Sequence, residues 1–417
     1  MPTASATPIT TRAAHRRPLL PRAAAFWLLT TTLAFLLFAS SAPSPMYVVY
    51  EAKWHFSAIT LTCVFAIYTI ALLVSLLWAG AISDRIGRRP VLVGSLLLEA
   101  AAMVVFARAG GVAELFAARI VQGLATGIAT GALSAALIDL QPPGRPHLGA
   151  LLSAAAPPLG LAAGALGSGL LVQFGPDPLG LVYWLLTAVF VLAAAAVLAM
   201  PETVLRRGRW RPVLLPRISV PPAARAMFAA ASPCLVATWA LGGLYLSLGP
   251  SLSASLLHTS SHVVGGLVIV ALTATGAVAS VVARHHRADR AMLAGAVMLI
   301  VGVAITLLGL NAHATALFFL GSVVAGVGFG PGFSGGFRLV TALAPPTERA
   351  ALIAAIYVVS YLGFSLPAIV AGVAVVHAGL LPTTNAYGAF VIVLAAAATA
   401  LTVVRERGAR VPLRDEA

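Results

Sequence analysis

Three sets of residues in this sequence have the types and spacing to do chemistry. The segment Gly80-Ala-Ile-Ser-Asp84-Arg85-Ile-Gly87-Arg88-Arg89 puts one acid ahead of three arginines in a tight turn. A carboxylate and guanidinium groups so placed can form charge-assisted bonds with one another or with helix ends. Gly80 and Gly87 permit the close packing and the turn itself. Arg119 and Glu99 form the second set. Each is ionisable and lies inside a long apolar run, where a charge costs at least a few kcal/mol unless it meets water or a partner. Arg119 has two roles open to it: snorkelling to the outer headgroups, or standing on an internal cavity wall. Glu99 is the one acid deep in such a run, and is either a proton-exchanging carboxylate or a structural partner for a neighbouring helix. Histidines are the third set. His258 and His262 are four apart, but Thr259-Ser-Ser261 between them reads as a loop and two ligands do not make a metal site. Cys63 and Cys234 both fall in apolar runs, which argues against a disulfide framework and fits no zinc spacing. No metal and no cofactor is expected.

The elements that must position these groups are membrane spans. The chain is 60% hydrophobic and 9% charged, far from the usage of soluble domains. Its net charge of +14 falls in short patches between apolar stretches, a distribution that fits a membrane's cytoplasmic face and excludes nucleic-acid binding. Runs of about 20 residues, the length that crosses the hydrocarbon, occur twelve times. The first is read over Ala23–Ser44, the ninth over Ala291–Leu310 and the last over Ala386–Val404. Unbroken hydrophobicity excludes an outer-membrane barrel, whose strands would alternate. The predicted organisation is a disordered tail over 1–22, six spans over 23–200, a basic linker over 201–226, six spans over 227–404 and a tail over 405–417. With the amino terminus inside, nearly every arginine becomes cytoplasmic, including those of the tail, the Asp84–Arg89 turn, the linker and the carboxyl end. An even number of spans returns the carboxyl terminus to the same side. One lysine against 25 arginines, with abundant alanine, points to a GC-rich bacterial genome and so to the inner membrane.

The two sets of spans also repeat. A shift of 203 residues lays Gly123 on Gly326, Gly127 on Gly330, Gly160 on Gly363 and Gly169 on Gly372. Parallel repeats of this kind build many secondary transporters.

With GAISDRIGRR in the loop after the second span and Ala118-Arg119-Ile-Val-Gln122-Gly123 in the fourth, the chain resembles the major facilitator superfamily over essentially all twelve spans. The resemblance implies an all-α membrane protein with two six-helix bundles around a cavity that opens alternately to each side. It implies that Gly80, Asp84, Arg85, Gly87, Arg88 and Arg89 form a conformational latch, with Asp139 the nearest partner for Arg85 or Arg88. Plain positive-inside charge is the alternative, but does not account for the acid and the glycines. It also implies that Arg119, with Gln122 and Gly123, takes part in proton coupling or binds an anionic substrate. Ala155-Ala156-Pro157-Pro158-Leu159-Gly160 partly matches a fifth-span motif of the drug–proton antiporters; helix packing explains it equally. Against antiport, the first span carries no acid, nor do the seventh to twelfth.

Trp27, Phe35, Trp239, Tyr245, Phe333, Phe337, Tyr357 and Tyr361 are candidates for an aromatic cavity, which suits amphiphilic or cationic compounds. The glycine-rich Gly326–Gly336 lacks the Gly-Lys-Ser/Thr ending of a nucleotide loop. No catalytic constellation accompanies these residues, so an enzyme is not expected. The expected function is proton-coupled efflux of small amphiphilic compounds by a monomer, with protons and the bilayer as its other partners. The alternative is a symporter or facilitator importing a sugar or other metabolite.

Overall fold

The computed structural model describes residues 19–204, 217–256 and 261–409, and every regular element among them is helical. In order they are α1 (Arg22–Ser41), α2 (Tyr47–Trp54), α3 (Ala58–Ile86), α4 (Arg88–Ala107), α5 (Val112–Leu140), α6 (Leu148–Phe174) and α7 (Leu181–Leu198). The second half holds α8 (Pro222–Ser247), α9 (Gly249–Leu256), α10 (His262–Ala283), α11 (Ala288–Asn311), α12 (Thr315–Thr341), α13 (Arg349–Ala378) and α14 (Leu380–Ala409). Twelve of them, all but α2 and α9, are long and apolar enough to cross a membrane. Helix is the form a single segment must take there, because hydrocarbon offers its N–H and C=O groups no other partner. Of the tails and linker read from the sequence, residues 1–18, 205–216 and 410–417 lie outside the described residues.

The differences from the expected spans have local causes. The first span ends at Ser41, since Pro43 and Pro45 cannot donate to the preceding turn, and the chain restarts as the short α2. The ninth begins at Ala288, which brings Asp289 into its first turn beside Arg287; a carboxylate is favoured at that helix end. The last begins at Leu380, because Gly379 takes a left-handed φ of 84° that separates α13 from α14.

The repeat is visible in the packing. An added Cβ at Gly123 would stand 2.4 Å from the Tyr68 carbonyl, and one at Gly326 would stand 2.9 Å from that of Ala271, 203 residues further on in both helices. Thus α5 packs on α3 as α12 packs on α10. The two halves meet through α6 against α10 and α13 against α3. Gly169 faces the His262 carbonyl, and Gly372 faces the Ala58 carbonyl and Thr62. Gln173 accepts from Ser261 Oγ at 2.8 Å and from the Val263 N–H at 3.2 Å. These contacts gather at the end remote from both termini. Outward, α4, α7, α11 and α14 complete each bundle, and exposed Leu192, Val393 and Val404 belong to the surface that meets lipid.

Candidate functional site

The centre of the first half is a polar cluster made possible by the break in α1. In a continuous helix the Ala39 carbonyl would accept from the N–H of residue 43, but that residue is Pro43. The Ser44 N–H, which would serve Ser40, turns instead to Ser41 at 2.9 Å. Two buried carbonyls are left for side chains, and buried backbone groups are rarely left unpaired. Gln122 Nε2 donates to Ala39 O at 3.0 Å and Arg119 Nη1 to Ser40 O at 3.0 Å.

Arg119 is fully buried and does not reach a headgroup. Its Nε and Nη2 donate to Tyr47 Oη at 2.9 and 2.6 Å, and Nη1 donates to Gln122 Oε1 at 2.8 Å. The guanidinium lies 5.0 Å from the Tyr68 ring centre and 5.6 Å from those of Tyr47 and Phe106, within cation–π range. Glu99 belongs to the same cluster. Its Oε1 accepts from Gln122 Nε2 at 3.3 Å and its Oε2 from Thr126 Oγ1 at 3.1 Å. One amide therefore separates the buried cation from the buried anion. Gln122 is the hinge of the cluster, since its oxygen faces Arg119 while its nitrogen serves both Glu99 and α1. Gly123 lets α5 approach α3 closely enough for Tyr68 to close one side.

The basic turn forms a second cluster, at the end of the first half nearest the termini. Arg88 pairs with Asp84 and, through Nε at 3.4 Å, with Asp139. Arg22 Nη2 donates to the Asp139 carbonyl at 2.8 Å, and Thr203 Oγ1 donates to the Asp139 carboxylate at 3.1 Å. Gly80 and Arg85 lie on α3, ahead of the turn. The Arg88 bonds, to Asp84 and to Asp139, join α3, α4 and α5 within one half. In this state the halves touch at the opposite end, so the turn finds its partners inside its own bundle.

Sequence reasoning missed Glu202. Its carboxylate accepts the N–H groups of Arg88 (3.0 Å), Arg89 (3.1 Å), Thr203 (3.0 Å) and Val204 (3.2 Å). An anion over the first N–H groups of α4 is a favoured arrangement. It also explains Gly87, whose φ is 109° and whose added Cβ would stand 2.7 Å from Glu202 Oε2. The available signal was an acid directly after the sixth span and before a run of arginines.

Five of the aromatic candidates converge in the second half. Trp239 on α8 packs edge-on against Tyr361 at 4.6 Å and Phe333 at 5.5 Å. Phe337 and Tyr357 extend the group at spacings of 5.9 to 6.2 Å. Phe364, not anticipated, joins Trp239 at 5.6 Å and reaches Phe65 of the first half at 5.0 Å. All five candidates are half-buried. Tyr245 is elsewhere: it is buried, bonded to Ser322 Oγ at 2.8 Å and stacked on Phe318. Phe35 lines a groove of about 290 Å³ between α1 and α7. Trp27, 53% exposed, lies two turns before it. These three stand apart from the aromatic group. His258 lies outside the described residues, among which no three His, Cys, Asp or Glu side chains cluster as metal ligands.

Two six-helix bundles related by an internal repeat, with a buried charge cluster in one and an aromatic wall in the other, define a membrane transporter of the twelve-span type. The comparisons agree. Residues 26–285 match the model of the Major Facilitator Superfamily, and the chain belongs to that family. No curated protein matches the sequence. Among solved structures, a mutant of the nucleoside transporter NupG has a TM-score of 0.66 at 16% identity, covering 90% of this chain and 99% of its own. A bacterial homologue of the human lysosomal transporter Spinster, inward-facing and unoccupied, has a TM-score of 0.72 at 13% identity, covering 94% and 99%. At these identities the likeness establishes the fold.

Proposed function

We propose that this protein is a proton-coupled exporter of small amphiphilic compounds in a bacterial inner membrane, working as a monomer with both termini in the cytoplasm. The observation that carries the proposal is the enclosure of Glu99 and Arg119 in one buried cluster, joined through Gln122. A carboxylate held without solvent can take and release a proton as the bundles rock. Half-buried aromatic rings suit flat or cationic apolar compounds. The distribution of the arginines supports a cytoplasmic setting for the termini and for the end at which the halves are apart. A compound would enter there, against Trp239, Tyr357 and Tyr361. Opening the seam at the other end would release it outside, and Glu99 would take a proton there and yield it inside on return. The basic turn, with Asp84, Arg88 and Asp139, would brace the first half as residues 23–200 and 227–404 move as two bodies.

The test is the purified protein in liposomes with an internal pH-sensitive dye and an imposed proton gradient. The panel is tetraphenylphosphonium, antibiotics, sugars and nucleosides, the last because one similar structure is a nucleoside transporter. Compound-dependent proton release, absent in Glu99→Gln and in Arg119→Ala, is the expected result. Saturable counterflow of a compound with no proton movement would overturn the coupling. Proton-linked accumulation of a sugar or nucleoside would reverse the direction.

A further inference from the structure

We propose that Gln173 is a key that holds the two halves closed at the end remote from the termini, and that the repeat leaves its counterpart, Val376, without one. Gln173 is the penultimate residue of α6. Its side-chain oxygen crosses the seam to the start of α10, where it accepts from Ser261 Oγ at 2.8 Å and from the Val263 N–H at 3.2 Å. Ser261 is the N-cap of α10 and itself accepts from the Val264 N–H at 3.4 Å. The first N–H groups of a helix have no partner within it, and side-chain oxygens at its start satisfy them. Here one of those oxygens comes from the other half. α10 therefore keeps this cap only while the halves are together, and parting them costs two directed bonds. The key depends on neither substrate nor proton coupling; it requires only that the halves move as two bodies.

The repeat supplies the comparison. One turn before Gln173, Gly169 meets the His262 carbonyl, where an added Cβ would stand 2.7 Å away. Gly372 meets the Ala58 carbonyl in the same manner, at 2.9 Å. Ser57 N-caps α3 as Ser261 N-caps α10, accepting from the Thr60 N–H at 3.5 Å. The backbones and the caps of the two sides thus correspond. One turn beyond Gly372, in the place of Gln173, stands Val376. Valine has no acceptor to offer. Ile59 lies two residues past Ser57, as Val263 lies two past Ser261, and its N–H meets no acceptor among the described residues. Exposure does not separate the two positions, since Gln173 is exposed and Val376 is 51% exposed. What differs is the side chain: a polar bond to the partner helix at α6, an apolar surface at the matching place on α13.

The test needs no substrate. Spin labels at residues 110 and 312, in the turns after α4 and after α11, report the separation of the halves at this end, in nanodiscs and with Cys63 and Cys234 replaced by alanine. The two arrangements are in equilibrium, so a lost bond is read as a changed population. Gln173→Leu should raise the population of the wider distance about fivefold, equivalent to about 1 kcal/mol. Gln173→Glu, which keeps an acceptor oxygen, should retain the closed distribution. Val376→Gln, made together with Gln173→Leu, should rebuild the key on Ser57 and the Ile59 N–H and return the wider population towards its original value. An unchanged distribution in Gln173→Leu would overturn the key, and so would an equal widening in Gln173→Glu. A widening that Val376→Gln fails to reverse would overturn the correspondence of the two sides. A single distance in every variant, under any imposed proton gradient, would overturn the two-body movement itself.

Discussion

Replacing Gln122 with leucine tests how the break in α1 is tied to the charge cluster. Three buried groups lose a partner: Arg119 Nη1, Glu99 Oε1 and the Ala39 carbonyl. A buried polar group without its partner costs about 1–3 kcal/mol, while interhelical bonds in membranes average about 0.6 and reach about 1.7 kcal/mol. At about 1 kcal/mol each, the loss is about 3 kcal/mol, with the charged Glu99 the largest share. The Ala39 share is separable. Pro43→Ala supplies the N–H that a continuous helix would direct to Ala39. In the unmodified protein this donor is redundant; beside Gln122→Leu it should recover about 1 kcal/mol. Reversible unfolding in mixed micelles, run as a double-mutant cycle, should therefore give a coupling of about 1 kcal/mol. A coupling within about 0.5 kcal/mol of zero, the range of independent sites, would refute the claim that Pro43 leaves Ala39 to Gln122.

Two further substitutions probe other parts of the molecule. At Gly372 an added Cβ would stand 2.0 Å from Thr62 Oγ1 and 2.9 Å from the Ala58 carbonyl. Gly372→Leu should therefore force the seam apart. Spin labels at residues 145 and 349, near the terminal end of each half, should move closer together, and an unchanged distance distribution would contradict the seam as described. Glu202→Ala removes the acceptor of two N–H groups at the start of α4 and of those of Thr203 and Val204. It should cost about 1 kcal/mol, the usual value of a lost helix cap, read as an earlier unfolding midpoint; no shift would mean that water replaces the carboxylate.

The twelve spans and the repeat were legible because hydrocarbon imposes length and apolarity on each segment, and because glycine is needed wherever two helices touch backbone to backbone. Gly123 and Gly326 carry that constraint in both halves. Arg119 and Glu99 stood out as charges in apolar runs, yet nothing in their spacing showed that Gln122 joins them. That link depends on which faces of α4 and α5 meet and on carbonyls freed by Pro43. The aromatic wall was half legible. Trp239, Phe333, Phe337, Tyr357 and Tyr361 meet, while Trp27, Phe35 and Tyr245 do not, since a helix in lipid is apolar on all sides and hides which side faces inward. Tyr68 and Phe364 escaped notice for the same reason.

The seam between the halves has the grammar of a two-fold dimer. Gly169 sits against the His262 carbonyl, and Gly372, its counterpart 203 residues on, sits against Ala58, one residue from the position that the same shift pairs with His262. In an isologous interface one patch meets its own copy, so every contact is made twice with the partners exchanged. This single chain obeys that rule. At these two glycines each six-helix unit carries both a surface that receives the other and a surface that is received.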